Sequence, residues 1–434
     1  METTTDFAYD FSLDFARHLD EKDELGAFRN EFFFPPARKG PALYFCGNSL
    51  GLQPKKTRGA LWKELEKWAK EGIDGFFSEK DGWLKYHEYL APLAAKVVGA
   101  RPEEVIIMNA LTVNLHLLMV SFYRPTKDRF KIIMEAGAFP SDQYAFASQV
   151  QFHGFAPKDA LIEVAPREGE ATLRTQDILN AIEAHGAETA LVLFSGLQYF
   201  TGQFFDMEAI TQKGHEVGAV VGWDLAHAAG NVPLRLHDWG VDFAAWCTYK
   251  YLNSGPGAIS GAFVHERHAQ NPELPRFAGW WGHDLEARFL MRKGFQPMYG
   301  AAGWQLSTAP VLPMAAHKAS LELFEQAGMA ALRQKSLRLT GFLEYILSEL
   351  NAQGKAFEFL TPTDPAQRGA QLSLFVGPEG KELFDYLLKN DVVADWREYN
   401  LPDGNEGGVI RIAPVPMYNT FEEVYRFGEL LAAF

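Results

Sequence analysis

The apolar positions of the chain fall into two alternating patterns. Short β-rich runs, Val105-Ile106-Ile107-Met108, Lys131-Ile132-Ile133-Met134, Leu161-Ile162-Glu163-Val164, Leu191-Val192-Leu193-Phe194 and Ala219-Val220-Val221-Gly222, read as buried strands. Helical patterns separate them. Ahead of the first strand, Leu61, Leu65 and Trp68 recur at helical spacing and stop at Gly72, and Leu90, Leu93, Ala94 and Val97 mark a second helix that stops at Gly99. Uniformly apolar strands joined by helical crossovers predict an α/β fold with a mostly parallel sheet covered on both faces. Ligands are then expected beyond the carboxyl ends of the strands.

After about Pro313 the pattern changes to one long helical region carrying Leu321, Phe324, Leu332, Leu339 and Ile346. A β-rich run from Ala370 to Val376, a helix near Leu383 to Leu388, a strand Val409 to Ile412 and a closing helix follow it. This predicts a smaller α+β domain over 314–434 behind a large domain over 41–313, with residues 1–40 as an arm packed on the body. The stretch from Val105 to Tyr123 is uncharged, but Asn109, Asn114 and His116 are costly in lipid, so it reads as strand, turn and buried helix. No repeat of fixed period is present, which excludes solenoids and propellers.

The 434 residues are 47% hydrophobic and 22% charged, enough for a large core and typical of a globular enzyme. The 41 Lys and Arg against 55 Asp and Glu leave a net charge of -14, without the basic footprint that nucleic-acid binding needs. The high aromatic content, Trp280-Trp281 included, therefore reads as core and subunit seam. Cys46 and Cys247 are too few for a disulfide scaffold, and Asp6, Asp10 and Asp14 near the start fit no secretory leader, so a reducing cytoplasm is expected.

Candidate chemistry concentrates in two stretches. Trp223-Asp224-Leu225-Ala226-His227 places an Asp just after an apolar strand, and Tyr249-Lys250-Tyr251 places a Lys between aromatics ahead of the glycine-rich turn Ser254-Gly255-Pro256-Gly257. Separately, an Asp after a strand is usually a helix cap and a Lys among aromatics usually snorkels to solvent. Together they fit pyridoxal phosphate: removal from water favours a neutral amine able to form a Schiff base, and a carboxylate keeps the pyridine ring protonated as an electron sink. A phosphate site is expected where Asn109-Ala110-Leu111-Thr112 opens a helix, the alternative being plain N-capping by Asn109 or Thr112. Phe139-Pro140-Ser141-Asp142 offers an aromatic for ring stacking or an ordinary helix start.

Gly47-Asn48-Ser49-Leu50-Gly51-Leu52-Gln53-Pro54, Met108 to His116, Phe139 to Asp142, Tyr199-Phe200-Thr201-Gly202-Gln203, Trp223 to Gly230, His237-Asp238-Trp239-Gly240-Val241-Asp242 and Ala413-Pro414-Val415-Pro416 together resemble the kynureninase family, from about residue 43 to the C-terminus. The resemblance implies a fold-type I pyridoxal phosphate enzyme, a homodimer, that hydrolyses L-kynurenine to anthranilate and L-alanine. It implies that Lys250 forms the Schiff base, Asp224 pairs with the pyridine nitrogen and Phe139 stacks on the ring, with Asp142 and His227 close by. Leu111, Thr112, Ser195, Tyr249, Trp280 and Thr308 match cofactor-holding positions, the last two given by the neighbouring subunit. Arg411 matches the clamp for the substrate α-carboxylate, Asn48, Ser49 and Ser307 match substrate-lining positions, and Tyr249 is the expected proton donor.

Two positions depart from the pattern: Gly75-Phe76-Phe77-Ser78 stands where some relatives place a His, and Thr308 where they place an Asn. Both are expected at the aryl end of the substrate, so a preference for kynurenine over 3-hydroxykynurenine is predicted. The nearer alternative is another enzyme of the superfamily, such as a cysteine desulfurase or an aminotransferase. A desulfurase wants a reactive Cys on a mobile loop, and Cys247, three residues before Lys250, does not fit. A non-catalytic binding protein would be expected to lose Lys250 or Asp224. His265, His268 and His283 read as solvated surface histidines rather than metal ligands, and Arg333, Lys335 and Arg338 as a solvated basic helix face.

Overall fold

Ser12 accepts the Phe15 N–H and so opens the first helix, α1 (Leu13–Glu21), which packs on the last helix of the chain. The computed structural model describes residues 9–38, 40–269, 271, 273–399 and 407–434; residues 1–8 of the expected arm, Asp6 among them, lie outside these. Helix α2 (Lys56–Glu71) stops at Gly72, and α3 (Ala91–Val98) stops at Gly99, whose φ of 63° is open to glycine at no steric cost. In α2 the face turned inward carries Thr57, Glu64 and Lys67, while Trp62 and Trp68 are each 63% exposed. The apolar spacing located this helix but not its buried face: Glu64 is held inside by the Trp83 indole N–H at 2.7 Å and the Tyr86 hydroxyl at 3.0 Å.

Among the described residues seven strands form the central sheet: β1 (Val105–Ile107), β2 (Lys131–Glu135), β3 (Leu161–Val164), β4 (Thr189–Ser195), β5 (Val220–Asp224), β6 (Phe243–Trp246) and β7 (Gly261–Val264). Their order is β1-β7-β6-β5-β4-β2-β3, and only β7 runs antiparallel to its neighbours. The strands are apolar on both faces because both are covered. Val192 and Phe194 of β4 join one buried cluster, and Leu191 and Leu193 join the other on the opposite face. Each such side chain contributes roughly 1.5–3 kcal/mol by leaving water. The crossovers include α4 (Leu111–Phe122), α5 (Pro140–Phe152), α6 (Thr175–His185) and α7 (Met207–Glu216). Gly222 of β5 faces Phe243 of β6 in register, and a Cβ there would collide with the Phe243 ring.

The expected single long helical region is two helices, α8 (Val311–Ala327) and α9 (Met329–Ala352), broken at Gly328 with φ 75°. The two go separate ways: α8 packs on α2 and α3, and α9 packs on the closing helix. A second, antiparallel sheet follows, built from β8 (Glu358–Phe359), β9 (Leu372–Val376), β10 (Asp395–Glu398) and β11 (Gly408–Ile412) in the order β8-β9-β11-β10. Helix α10 (Gly380–Lys389) precedes β10, and α11 (Phe421–Ala433) closes the chain. The basic residues of α9 are not a solvated face. Lys335 is 6% exposed and pairs with Asp23 at 2.7 Å, Arg333 donates to the Pro365 carbonyl, and Arg338 lies over the Phe421 ring. Among the described residues no helix is long and apolar enough to cross a membrane.

Candidate active site

Strand β5 ends on Asp224, and the parallel arrangement delivers its carboxylate to the carboxyl edge of the sheet, where helices α4 and α5 also begin. Asp224 is 4% exposed and its Oδ1 accepts the Ala226 N–H at 2.6 Å. Asp142, in the first turn of α5, stands against it. Burial pushes the Asp142 carboxyl well above the usual carboxylate range, and the neighbouring Asp224 and Glu135 carboxyls push it further. Burial raises Asp224 too, but the Ala226 N–H and the Lys250 charge oppose that rise. The pair therefore keeps its proton on Asp142 and its negative charge on Asp224.

Lys250 follows β6 after a short turn, its Nζ 3.0 Å from Nε2 of His227 and 5.7 Å from the centres of the Phe139 and Tyr249 rings. Burial, with the Lys250 charge second, holds His227 well below the ordinary imidazole range, so the ring is neutral. A neutral imidazole that accepts at Nε2 carries its hydrogen on Nδ1. That Nδ1 is buried and has no partner among the described residues. Gly51 donates its N–H to the Tyr249 carbonyl at 2.8 Å, and any side chain there would strike the Lys250 carbonyl and Asn253. The Gly47 to Pro54 motif thereby lies directly against the lysine loop.

The anion end of the cleft is equally specific. Helix α4 begins at Ala110 with no side-chain cap. Asn109 sends its amide to Asn114 at 3.0 Å, and the Thr112 hydroxyl lies 3.3 Å from that of Ser141. Among the described residues the first N–H groups of α4 therefore have neither intrahelical nor capping acceptors, and neither Asn109 nor Thr112 caps the helix. Leu111, Thr112, Phe139, Ser141, Asp142, Ser195, Asp224, His227, Tyr249 and Lys250 line one cleft of about 200 Å³. An uncapped helix start, two hydroxyls, a buried carboxylate, a spare imidazole N–H and an amine fit a planar aromatic phosphate with an aldehyde.

Ser195 ends β4 in that cleft, and both its N–H and its hydroxyl are donated to Glu135, the last residue of β2. Glu135 is fully enclosed, and burial pushes its carboxyl up to about 7. It carries the same signal as Asp224, an acid ending an apolar strand, and sequence reasoning missed it. Tyr199, quoted in a motif but given no site role from the sequence, also lines the cleft and meets Phe139 edge to face at 5.2 Å.

Arg411 lies outside this lining but next to it. It is 2% exposed in β11, donates from Nη1 to the Tyr199 carbonyl at 2.7 Å, and pairs with Asp395. Ser49 donates to the same Asp395 at 3.3 Å, and Asn48 donates to Gln371 at 2.9 Å, leaving its buried Oδ1 without a partner among the described residues. Trp280, Ser307 and Thr308 do not reach the cleft of their own chain. Ser307 and Thr308 are exposed, and Trp280 is 45% exposed with its ring N–H on the Arg288 carbonyl.

The expected surface histidines are buried or nearly so. Two enclosed carboxylates recruit His265 and His268: Glu104 takes His237 at 2.9 Å with His265 stacked on it, and Asp242 takes His268 and His215, each at 2.8 Å. His283 accepts the Gln296 N–H. Glu104, His237 and His265 bring their ligating atoms within 4.8 Å of one another, but Glu104 also accepts the backbone N–H groups of Arg101 and Glu266. Both cysteines are free, and Cys247 is buried with its thiol raised by desolvation, the opposite of an activated nucleophile.

A family profile described as the kynureninase C-terminal domain matches residues 332–431. The chain is 55% identical to kynureninase of Flavobacterium psychrophilum, over 97% of each chain. It is 54% identical to that of Myxococcus xanthus, over 99% of this chain and 98% of the relative, and 50% identical to that of Nematostella vectensis, over 97% and 94%. Among solved structures it resembles the apo cysteine desulfurase of Thermococcus onnurineus, with TM-score 0.72 at 18% identity over 90% of this chain and 94% of that one. It also resembles a C-DES mutant with glycine linked covalently to its PLP cofactor, with TM-score 0.73 at 18% identity over 91% and 97%. At such identities these two share its fold and nothing finer.

Proposed function

The chain belongs to the kynureninase family, and on that premise we propose that it hydrolyses L-kynurenine to anthranilate and L-alanine, and 3-hydroxykynurenine to the hydroxylated product, with pyridoxal 5'-phosphate as cofactor. The fold is that of the fold-type I pyridoxal phosphate enzymes. The observation that carries the reading is the meeting of Lys250, His227, Asp224 and Asp142 in one buried cleft whose other end is an uncapped helix start.

The residues divide the work by charge. Thr112, Ser141 and the first N–H groups of α4 would hold the phosphate, Phe139 would cover a ring face, and Asp224 would pair with the ring nitrogen because Asp142 keeps the shared proton. Bound there, the cofactor would supply an electron sink for the charge left when the α-proton departs and when, after water adds to the aryl ketone, the bond between the β- and γ-carbons breaks to release anthranilate. Lys250 would take up the α-proton at Nζ and give it back from there. Burial holds the Tyr249 hydroxyl above its ordinary pKa, so at neutral pH it remains a phenol able to donate a proton to the alanine fragment. Arg411 would clamp the α-carboxylate with its fork, with Asn48, Ser49 and Ser307 lining the substrate. The exposed places of Trp280 and Thr308 suit a homodimer in which each subunit completes the other's site.

Gly75 to Ser78 offer no imidazole and Thr308 no carboxamide where some relatives carry His and Asn toward the aryl ring, so kynurenine would be the preferred substrate. The work would be done in the cytoplasm, in tryptophan breakdown or NAD biosynthesis. The test is the purified protein loaded with pyridoxal phosphate: its visible absorbance reports binding, and anthranilate fluorescence after adding L-kynurenine reports the reaction. Cofactor binding with no anthranilate would refute the substrate, and a kcat/KM higher for 3-hydroxykynurenine would refute the preference.

A further inference from the structure

Arg411 is the middle of a charged group that the two β-strands around it assemble. Strands β10 and β11 pair antiparallel with Asp395 directly opposite Arg411, which puts both side chains on one face at one level. Nε and Nη2 of Arg411 both reach Oδ1 of Asp395, at 2.9 and 2.8 Å. Nη1 gives one hydrogen to the Tyr199 carbonyl. A guanidinium has five N–H donors, so among the described residues one on each terminal nitrogen has no partner and is open to a carboxylate.

The same Asp395 also takes Arg397, through Nε at 2.9 Å and Nη2 at 3.2 Å, and accepts the Ser49 hydroxyl. Two guanidiniums against one carboxylate leave a single positive charge. That excess reaches the cleft: after burial and Lys250, Arg411 and Arg397 are what hold the His227 ring neutral. Arg411 is almost wholly buried, so water cannot substitute for either of its fixed partners.

We propose that Asp395 is a positioning residue for substrate recognition, fixing one edge of Arg411 so that the other faces the cleft, and tuning the group to accept one carboxylate. The inference rests on Arg411 as the carboxylate clamp. The experiment uses the holoenzyme. Asp395→Asn, which keeps an acceptor but loses the charge, raises KM for L-kynurenine roughly tenfold or more while kcat changes less than about threefold. Binding of kynuramine, the substrate without its carboxylate, followed by cofactor absorbance, stays as in the parent enzyme. Unchanged KM, or equal losses for both ligands, overturns the proposal. Should Asp395→Asn not fold, Asp395→Glu, which displaces the acceptor by one methylene, carries the same test. Arg411→Lys separates the two readings: if it leaves KM unchanged, the clamp itself is wrong, and if it raises KM while Asp395→Asn does not, only the positioning role fails.

Discussion

The amine of Lys250 lies 3.0 Å from Nε2 of a buried, neutral His227, and among the described residues no carboxylate forms a direct ion pair with it. An amine held by one neutral acceptor gives up its resting contact at little cost when a cofactor arrives. Lys250→Ala is expected to lower anthranilate production by at least about a thousandfold. Thermal melting of the cofactor-free protein should move by only a few degrees, about what the loss of one hydrogen bond and some packing implies. Retained turnover would remove Lys250 from the chemistry.

Glu135 makes the stability of the cofactor-free protein depend on pH. Its carboxyl is raised from 4.5 to about 7, so the native state binds this proton more tightly than the unfolded chain does. The associated stability is fully present below pH 4.5 and is lost as pH rises through about 7, a swing of roughly 3 kcal/mol. Glu135→Gln keeps an acceptor for Ser195 and removes the titration. Denaturant melts across that window should be flatter for the variant, and an unaltered slope would show that Glu135 is ionised in the native protein.

Tyr249→Phe removes the phenol without emptying its space. If the hydroxyl delivers a proton to the departing alanine fragment, kcat falls by roughly a hundredfold to ten-thousandfold, while KM and cofactor affinity stay within a few-fold. Steady-state kinetics with L-kynurenine reads both. An unchanged kcat would mean that the proton comes from elsewhere, with Lys250 the next group in the cleft.

The sheet was legible because burial on both faces makes its strands uniformly apolar. Asp224 and Lys250 stood out because each breaks such a pattern just after a strand, and helices α2 and α3 ended at the glycines that marked them. What stayed hidden depends on distant partners. Lys335 looks solvated until Asp23 is found more than three hundred residues away, and His265 and His268 look like surface groups until Glu104 and Asp242 are seen behind them. Strand β7, Gly261–Val264, is too short for its direction to be read from any pattern. Asp395 opens a mostly charged strand, Asp395–Glu398, and only its register against Arg411 shows its place beside the site.

Trp280 and Thr308 lie away from their own cleft, and Trp280 stands in an exposed aromatic group with Phe289, to which Phe77 is joined. Phe77, Phe289 and Trp280, all exposed, form one joined aromatic group of the kind that marks an interaction surface. If each site borrows Trp280 from the other subunit, a Lys250→Ala subunit is defective only in its own cleft, and a Trp280→Ala subunit only in its partner's. Mixing the two inactive homodimers under conditions that exchange subunits should then create heterodimers with one intact cleft. At equal proportions and random exchange, half of the dimers are mixed and half of the sites in those are whole, so activity should recover to about a quarter of the parent level. Light scattering on the same samples tests whether the protein is a dimer. No recovery despite demonstrated exchange would place Trp280 in the service of its own subunit, and the borrowed-residue arrangement would fall.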